Sequence, residues 1–469
     1  MDPIPLDRIR QLTGARSARS LPPGLLVHAI NTDTRRVVPG ALFVAIPGER
    51  FDGHDFVPAC PQSGAVAALV QRPLSDTPPD LPLLQVESTR RAIGTLAQDV
   101  RLRFGGRVIA VAGSNGKTST KHLIHDVLST RLRGSMSPKS FNNDIGVPLT
   151  IFQADARDDF LVLELGTNHP GEIAALTHIG APDIAVITNC AEEHLEFLGD
   201  LATVRRENFS IVQGLQPGGL LIINGDDPEL LALAGSFDGR KITFGFSGGN
   251  DLVAAEVQAA EDGVRFRVNG DREFQVPLLG RHSAANALAA IAVARELGLS
   301  DTDIADGLAR TRGPEMRLQL REVGGVRMLN DAYNANPASM RAALATIATM
   351  KPESRRVAVL GDMRELGAMS EKYHREIGRA AAEAGVELLA CVGSQAHLLA
   401  RAAEEHGLDR RNIRCFEDAA AASRVIPSWL RKGDLVLLKA SRGVRLELVA
   451  EGIEAAWKHR TRQMASASS

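Results

Sequence analysis

Seven consecutive residues, Gly113-Ser114-Asn115-Gly116-Lys117-Thr118-Ser119, have the types and spacing of a phosphate-binding loop. They lie between an apolar run, RVIAVA, and a segment of helical periodicity, KHLIHDVL. In that setting the glycines let backbone N–H groups turn inward around phosphate oxygens. The helix that follows adds the positive end of its dipole. Lys117 would neutralise β/γ-phosphate charge and the Thr118 hydroxyl would bind Mg²⁺, so ATP and Mg²⁺ are the expected ligands. The loop is a shortened form, because the full pattern wants a glycine at the position of Val111. From the residues alone, a glycine-rich strand–helix turn without ligand stays open.

Further candidates follow other apolar runs. Glu164 ends LVLEL (161–165), where a carboxylate would enter the crevice at the strand ends and could ligate Mg²⁺. The bland alternative is a strand-end Glu facing solvent. His194 lies in NCAEEHLE (189–196) and could bind metal or phosphate with help from Glu192 or Glu193, although a lone strand-end His is more often a surface or capping residue. Asn142 and Asn143 precede Ile145-Gly146-Val147-Pro148 and could line a polar pocket or cap a helix.

The elements that must position these groups alternate. Buried-type strands at 161–165, 183–188 and 220–224 with helical segments between them form the βαβ pattern of a parallel sheet. VRFRVNGDREFQV reads as a hairpin on an Asn-Gly turn. A second doubly wound unit follows, with strands in VAVLGD (357–362), ELLACVG (387–393) and DLVLLKAS (434–441). The expected domains are 1–105, 106–312 and 313–469. A length of 469 residues allows two to four domains, and 44% hydrophobic with 23% charged residues is a globular composition. A net charge of −2 argues against a protein that coats nucleic acid. Four scattered cysteines without a CxxC pair fit a reducing compartment. No run approaches the ~18 apolar residues of a membrane span, and MDPIPLDRIRQLTG lacks a signal pattern, so a cytoplasmic protein is expected. Only nine of the 54 basic residues are lysine, so each lysine carries information that the many arginines do not.

Several segments together resemble the Mur ligases of bacterial cell-wall synthesis. They are Thr32-Asp33-Thr34-Arg35, PGERFDGHDF (47–56), AGSNGKTSTK (112–121), FNNDIGVPLT (141–150), ELGTNHPGEI (164–173) and HLEFLG (194–199). GRHSAANALAA (280–290), DAYNANPASM (331–340), LGDMRELG (360–367) and KASRGVRLE (439–447) continue the match in the family's order. NNDIGVP, DAYNANPASM and LGDMRELG point to a member that adds a D-alanyl-D-alanine dipeptide to a UDP-N-acetylmuramoyl tripeptide. Relatives that add a single amino acid are the alternative.

The resemblance implies an α/β fold of three domains: a central P-loop parallel-sheet ATPase domain, a small N-terminal α/β domain for the UDP sugar, and a C-terminal Rossmann-like domain for the dipeptide. It implies an acyl-phosphate route and small-molecule substrates; no nucleic-acid partner and a monomer are expected. Lys117, Glu164 and His194 would be catalytic. Thr118 and Glu164 would hold one Mg²⁺, and His194 would help hold a second. Asn286 resembles the adenine contact, and Arg317 and Asp331 the ribose and phosphate contacts. Tyr333, Asn334 and Asn336 would lie in a closing loop, and Lys439, Ser441 and Arg442 would hold the dipeptide carboxylate. Thr32, Asp33, Thr34 and Arg35, with Asn142 and Asn143, would serve the UDP substrate.

One position departs from the family. About fourteen residues after the His in the place of His194, most members carry a lysine whose carbamate binds the second Mg²⁺. Asn208 stands there, and no lysine occurs between Lys139 and Lys241. Asn cannot be carbamylated, and its amide oxygen is a weaker Mg²⁺ ligand than a carboxylate. Three readings are open: His194, phosphates and water hold the second ion alone; Glu207, Glu192 or Glu193 replaces the carbamate; or the chain is a nucleotide-binding relative with weak or no ligase activity.

Overall fold

The computed structural model describes residues 1–48, 50–74, 76 and 78–467, with side chains described up to Lys458. Glu49 of the PGERFDGHDF match and Ser75 and Thr77 of the Pro-rich loop lie outside the described residues.

The first sheet has four parallel strands in the order Ala29–Asn31, Ala41–Val44, Ala65–Val70, Leu83–Gln85. A short antiparallel pair, Ile4–Pro5 with Leu26–Val27, forms a separate two-stranded sheet. The helix Thr89–Arg103 buries Ile93, Leu96 and Ala97 in a core shared with the first and second sheets.

The second sheet has nine strands, and the strand Arg107–Ala112 lies between Ile184–Ile187 and Phe160–Glu164, parallel to both. Its residues Val108–Ala112 are fully buried, so both faces are covered and the run is continuously apolar rather than alternating. The Val108, Ile109 and Val111 side chains each stabilise the fold by about 1.5–3 kcal/mol on leaving water. Val111 pairs with Glu164 and Ala112 with Ile187, so three loops leave adjacent strand ends at one level. The phosphate loop, Glu164 and residues 188–194 converge for that reason.

The phosphate-loop helix, Lys117–Leu128, packs against the helix His282–Glu296, whose alanines 284, 287, 289, 290, 292 and 294 are all buried and permit close approach. The expected hairpin is present: Gly263–Val268 pairs antiparallel with Arg272–Val276. Asn269 (φ +55°) and Gly270 (φ +82°) form its turn in left-handed backbone.

The third sheet runs Gln319–Val323, Val326–Asn330, Leu435–Lys439, Arg356–Gly361, Leu388–Val392, Ile413–Phe416. It is parallel except for its first pair, as a doubly wound unit requires. Among the described residues, no helix is long and apolar enough to cross a membrane.

Candidate functional site

A cleft of about 1510 Å³ lies between the second and third sheets. Residues 114–119, Glu164 and His194 line its central side, and Arg317, Tyr333 and Asn336 line the C-terminal side.

The phosphate loop needs its glycines. Gly113 (φ +125°) and Gly116 (φ +84°) are both left-handed. A Cβ on Gly113 would lie 2.1 Å from Thr188 Oγ1, and one on Gly116 would lie 2.5 Å from the Asn286 carboxamide oxygen. The neighbouring strand end holds the loop. Ser114 N–H donates to the Asn189 carbonyl at 2.7 Å, Asn115 N–H to Asn189 Oδ1 at 3.1 Å, and the Thr188 hydroxyl to the Asn115 carbonyl at 2.6 Å. Lys117 folds its ammonium back onto the Gly113 carbonyl and stands 3.8 Å from the Glu193 carboxylate. The Thr118 hydroxyl is buried and has no hydrogen-bond partner among the described residues. A buried orphan hydroxyl at this point of a phosphate loop is what a Mg²⁺ ligand would leave, so the residues fit the ion.

Glu164 is 1% exposed and both its oxygens are engaged: Lys121 donates at 3.0 Å and Asn142 at 3.1 Å. Lys121 is itself fully buried. Burial pulls its ammonium below the usual lysine range, and the Glu164 carboxylate opposes that shift. His194 has left-handed backbone (φ +49°), with Nδ1 bonded to Glu365 of the third domain. That bond holds the Glu365 carboxyl below its ordinary range.

On the C-terminal side, Lys439 donates to Asp331 at 2.6 Å and to the Asn334 carbonyl at 3.0 Å. Asp331 also accepts from Leu318 N–H at 3.1 Å. The Arg317 guanidinium sits 4.4 Å over the Tyr333 ring. Asn336 caps the helix Pro337–Thr349, and its amide donates across the cleft to Asn115 Oδ1 at 3.0 Å. The cap and the reach to the phosphate loop belong to one side chain. Arg341, further along that helix, bonds Glu192 at 3.1 Å.

Comparison with known proteins gives the same architecture. The Mur ligase middle domain model matches residues 111–294, the Mur ligase glutamate ligase domain model 316–442, and the Mur ligase family catalytic domain model 26–101. A UDP-N-acetylmuramoyl-tripeptide–D-alanyl-D-alanine ligase of Escherichia coli is 38% identical over 457 residues, covering 95% of this chain and 98% of the relative. The Bacillus subtilis protein of the same name is 35% identical, covering 91% and 93%.

The chain belongs to the Mur ligase family.

Among solved structures, MurF from Acinetobacter baumannii aligns at TM-score 0.86 with 31% identity, covering 97% of this chain and 99% of that one. MurF ligase from Thermotoga maritima in complex with ADP aligns at 0.80 with 28% identity, covering 92% and 98%.

In this Mur ligase several expected roles shift. The Glu207 carboxylate, one candidate to replace a carbamate, is already engaged. It accepts from the Gly171 and Ile173 N–H groups at 2.7 and 2.8 Å and from the Thr167 hydroxyl at 3.2 Å, so it caps the helix Glu172–Gly180. Glu192 is taken by Arg341. Asn208 is 1% exposed and its amide donates back to the Val204 carbonyl at 3.0 Å. Lys439 and Ser441 are buried wall residues: the Ser441 hydroxyl accepts from Arg364 N–H and donates to the Ala335 carbonyl. Arg442 keeps a half-exposed guanidinium, 5.8 Å from the Tyr333 ring. Asn143 accepts from Gly146 N–H at 2.8 Å at the start of the helix Gly146–Gln153, while Asn142 faces Glu164. Thr32–Arg35 lie outside the cleft, where Asp33 caps a short turn and pairs with Arg35 at 2.8 Å.

The sequence reading gave no role to Lys121, Glu365 or Arg341. Lysine scarcity was the available signal for Lys121, which stands one helical turn after Lys117. Glu207→Ala leaves two N–H groups at a helix start without their charged acceptor. It is expected to lower stability by about 2–3 kcal/mol in urea unfolding.

Proposed function

We propose that this chain is an ATP-dependent, amide-forming ligase that joins D-alanyl-D-alanine to UDP-N-acetylmuramoyl-tripeptide. The observation that carries the reading is the Lys117 ammonium and the orphan Thr118 hydroxyl at the edge of a cleft whose opposite wall is a separate domain. The names of the E. coli and B. subtilis relatives agree with it.

A carboxylate is a poor acyl donor, so it must first gain a leaving group. A tripeptide carboxylate oxygen bonds to the γ-phosphorus of ATP, the bond to the bridging oxygen breaks, and ADP leaves. The dipeptide amine then bonds to the acyl carbon, the carbon–oxygen bond to phosphate breaks, and inorganic phosphate leaves as the amine gives up a proton. Thr118 and Glu164 would hold one Mg²⁺ and His194 would help hold a second, and the ions would supply positive charge to the phosphate oxygens. Lys117 adds its charge where negative charge builds, and positioning does most of the rest. Asn286 serves the adenine, and Arg317 and Asp331 the ribose and phosphates. Tyr333, Asn334 and Asn336 form the closing loop. Arg442 receives the dipeptide carboxylate, between walls built by Lys439 and Ser441. Thr32–Arg35, Asn142 and Asn143 serve the UDP substrate.

Phosphate release from ATP tests the reading. It is expected only when the UDP-muramoyl tripeptide and D-alanyl-D-alanine are both present. ATP binding without such release would contradict it, and release with single amino acids would point to a sister ligase. With no lysine from 140 to 240, the rate is expected to stay constant across bicarbonate concentrations. A bicarbonate-dependent rate would mean that a carbamate forms on another lysine.

A further inference from the structure

We propose that Glu193 is a direct Mg²⁺ ligand in this chain, giving the ion beside His194 the anionic oxygen that Asn208 cannot give. The inference rests on the Mg²⁺–nucleotide reading of the cleft and adds to it a residue of this chain.

Glu193 is 6% exposed, and its Oε1 is buried with no hydrogen-bond partner among the described residues. A buried carboxylate oxygen without a partner is costly, and its retention calls for a ligand. The other oxygen stands 3.8 Å from Lys117 Nζ and 3.9 Å from His194 Nε2. Both separations are too long for hydrogen bonds. The carboxylate therefore lies within ion-pair range of two groups of the phosphate site and is hydrogen-bonded to neither.

The orientation of His194 fits. Its Nδ1 is bonded to Glu365, which leaves Nε2 as the nitrogen facing Glu193. A carboxylate on one ring nitrogen fixes the ring and makes the other a better ligand. Elimination points the same way. Glu164 is already assigned to the ion beside Thr118, and the carboxylates of Glu192 and Glu207 are bonded to Arg341 and the 172–180 helix start. Asp331 is bonded to Lys439. Of these acidic groups around the cleft, Glu193 keeps a buried oxygen free.

Among the described residues no group of three or more His, Cys, Asp and Glu side chains gathers as a metal cage. Mg²⁺ does not need one. It is commonly bound by one or two carboxylates, with substrate phosphates and water completing the shell. Glu193 and Nε2 of His194 would give such a partial shell. The competing role for Glu193 is that of a counter-ion for Lys117 in the nucleotide-free protein.

Titration of Mn²⁺ into the full-length protein with saturating ADP, followed by the electron paramagnetic resonance of free Mn²⁺, separates the two. Glu193→Gln keeps the shape and removes the charge. It is expected to weaken Mn²⁺ binding by about tenfold or more, while ADP binding in the presence of a chelator is unchanged or tighter. Glu193→Asp keeps the charge near Lys117 but draws it back by one methylene, and should also weaken Mn²⁺ binding. Mn²⁺ affinity within twofold of wild type in the variants that fold would overturn the proposal. So would a parallel loss of metal-free ADP binding, which marks a structural role. This titration needs no turnover, so it stands apart from the phosphate-release test of the ligase reading.

Discussion

Lys117→Met is expected to lower kcat by about a thousandfold or more and to leave the fold intact. The side chain is partly exposed at the loop, and its bonds are to the loop's own Gly113 and Ser114 carbonyls. Those bonds pin the ammonium above the phosphate site at small cost to stability if removed. Its value arises during reaction, when charge grows on the transferring phosphoryl group and a preorganised cation meets it. Removing a single preorganised neutral donor typically costs about 2.7–4 kcal/mol of barrier, and a full charge should cost at least as much. Lys117→Arg should not restore the rate, because a planar fork cannot occupy the place of a compact ammonium. The check is kcat by phosphate release beside a urea unfolding curve. A loss of stability matching the loss of rate would show that the lysine holds the loop instead.

Lys121→Met is expected to have the largest effect on stability, about 3–5 kcal/mol, because it strands the Glu164 carboxylate in the core. Lys121 is 0% exposed and Glu164 1%, at 3.0 Å from each other. Taking two charges out of water is costly, and the pair is tolerated because each satisfies the other. The double variant Lys121→Met/Glu164→Leu should regain most of the lost stability, since it removes both charges. It should not regain activity, because Glu164 is also assigned to Mg²⁺. Urea midpoints of the single and double variants, with their phosphate-release rates, check both halves. A double variant that recovers activity along with stability would remove Glu164 from the site.

Local chemistry was legible in the sequence. The strand–loop–helix around Lys117, the Asn269-Gly270 hairpin and the strand ending at Glu164 are each set by neighbouring residues, and periodicity or turn type reveals them. Pairings across long stretches of chain were not. Lys121 meets Glu164, Asp331 meets Lys439 and His194 meets Glu365 across 43, 108 and 171 residues. Nothing local announces such partners, so the burial of Lys439, expected to hold the dipeptide carboxylate, and its bond to Asp331 were not legible. The missing lysine at Asn208 was visible, and so were Glu192, Glu193 and Glu207 as groups to replace it, but nothing local ranked them. Glu207 and Glu193 look alike in sequence. They differ because two backbone N–H groups of residues 171–173 take the Glu207 oxygens, while Oε1 of Glu193 has no partner among the described residues. Asn336, expected in a closing loop, caps the helix Pro337–Thr349 and with the same side chain bridges two domains.

The acyl-phosphate route is tested most directly by an isotope. UDP-muramoyl tripeptide labelled with ¹⁸O in its terminal carboxylate is incubated with ATP, D-alanyl-D-alanine and the protein, and the released phosphate is analysed by mass spectrometry. One ¹⁸O should appear in inorganic phosphate for each amide formed, because the carboxylate oxygen that attacks phosphorus leaves with it. Amide formation with unlabelled phosphate would contradict the account.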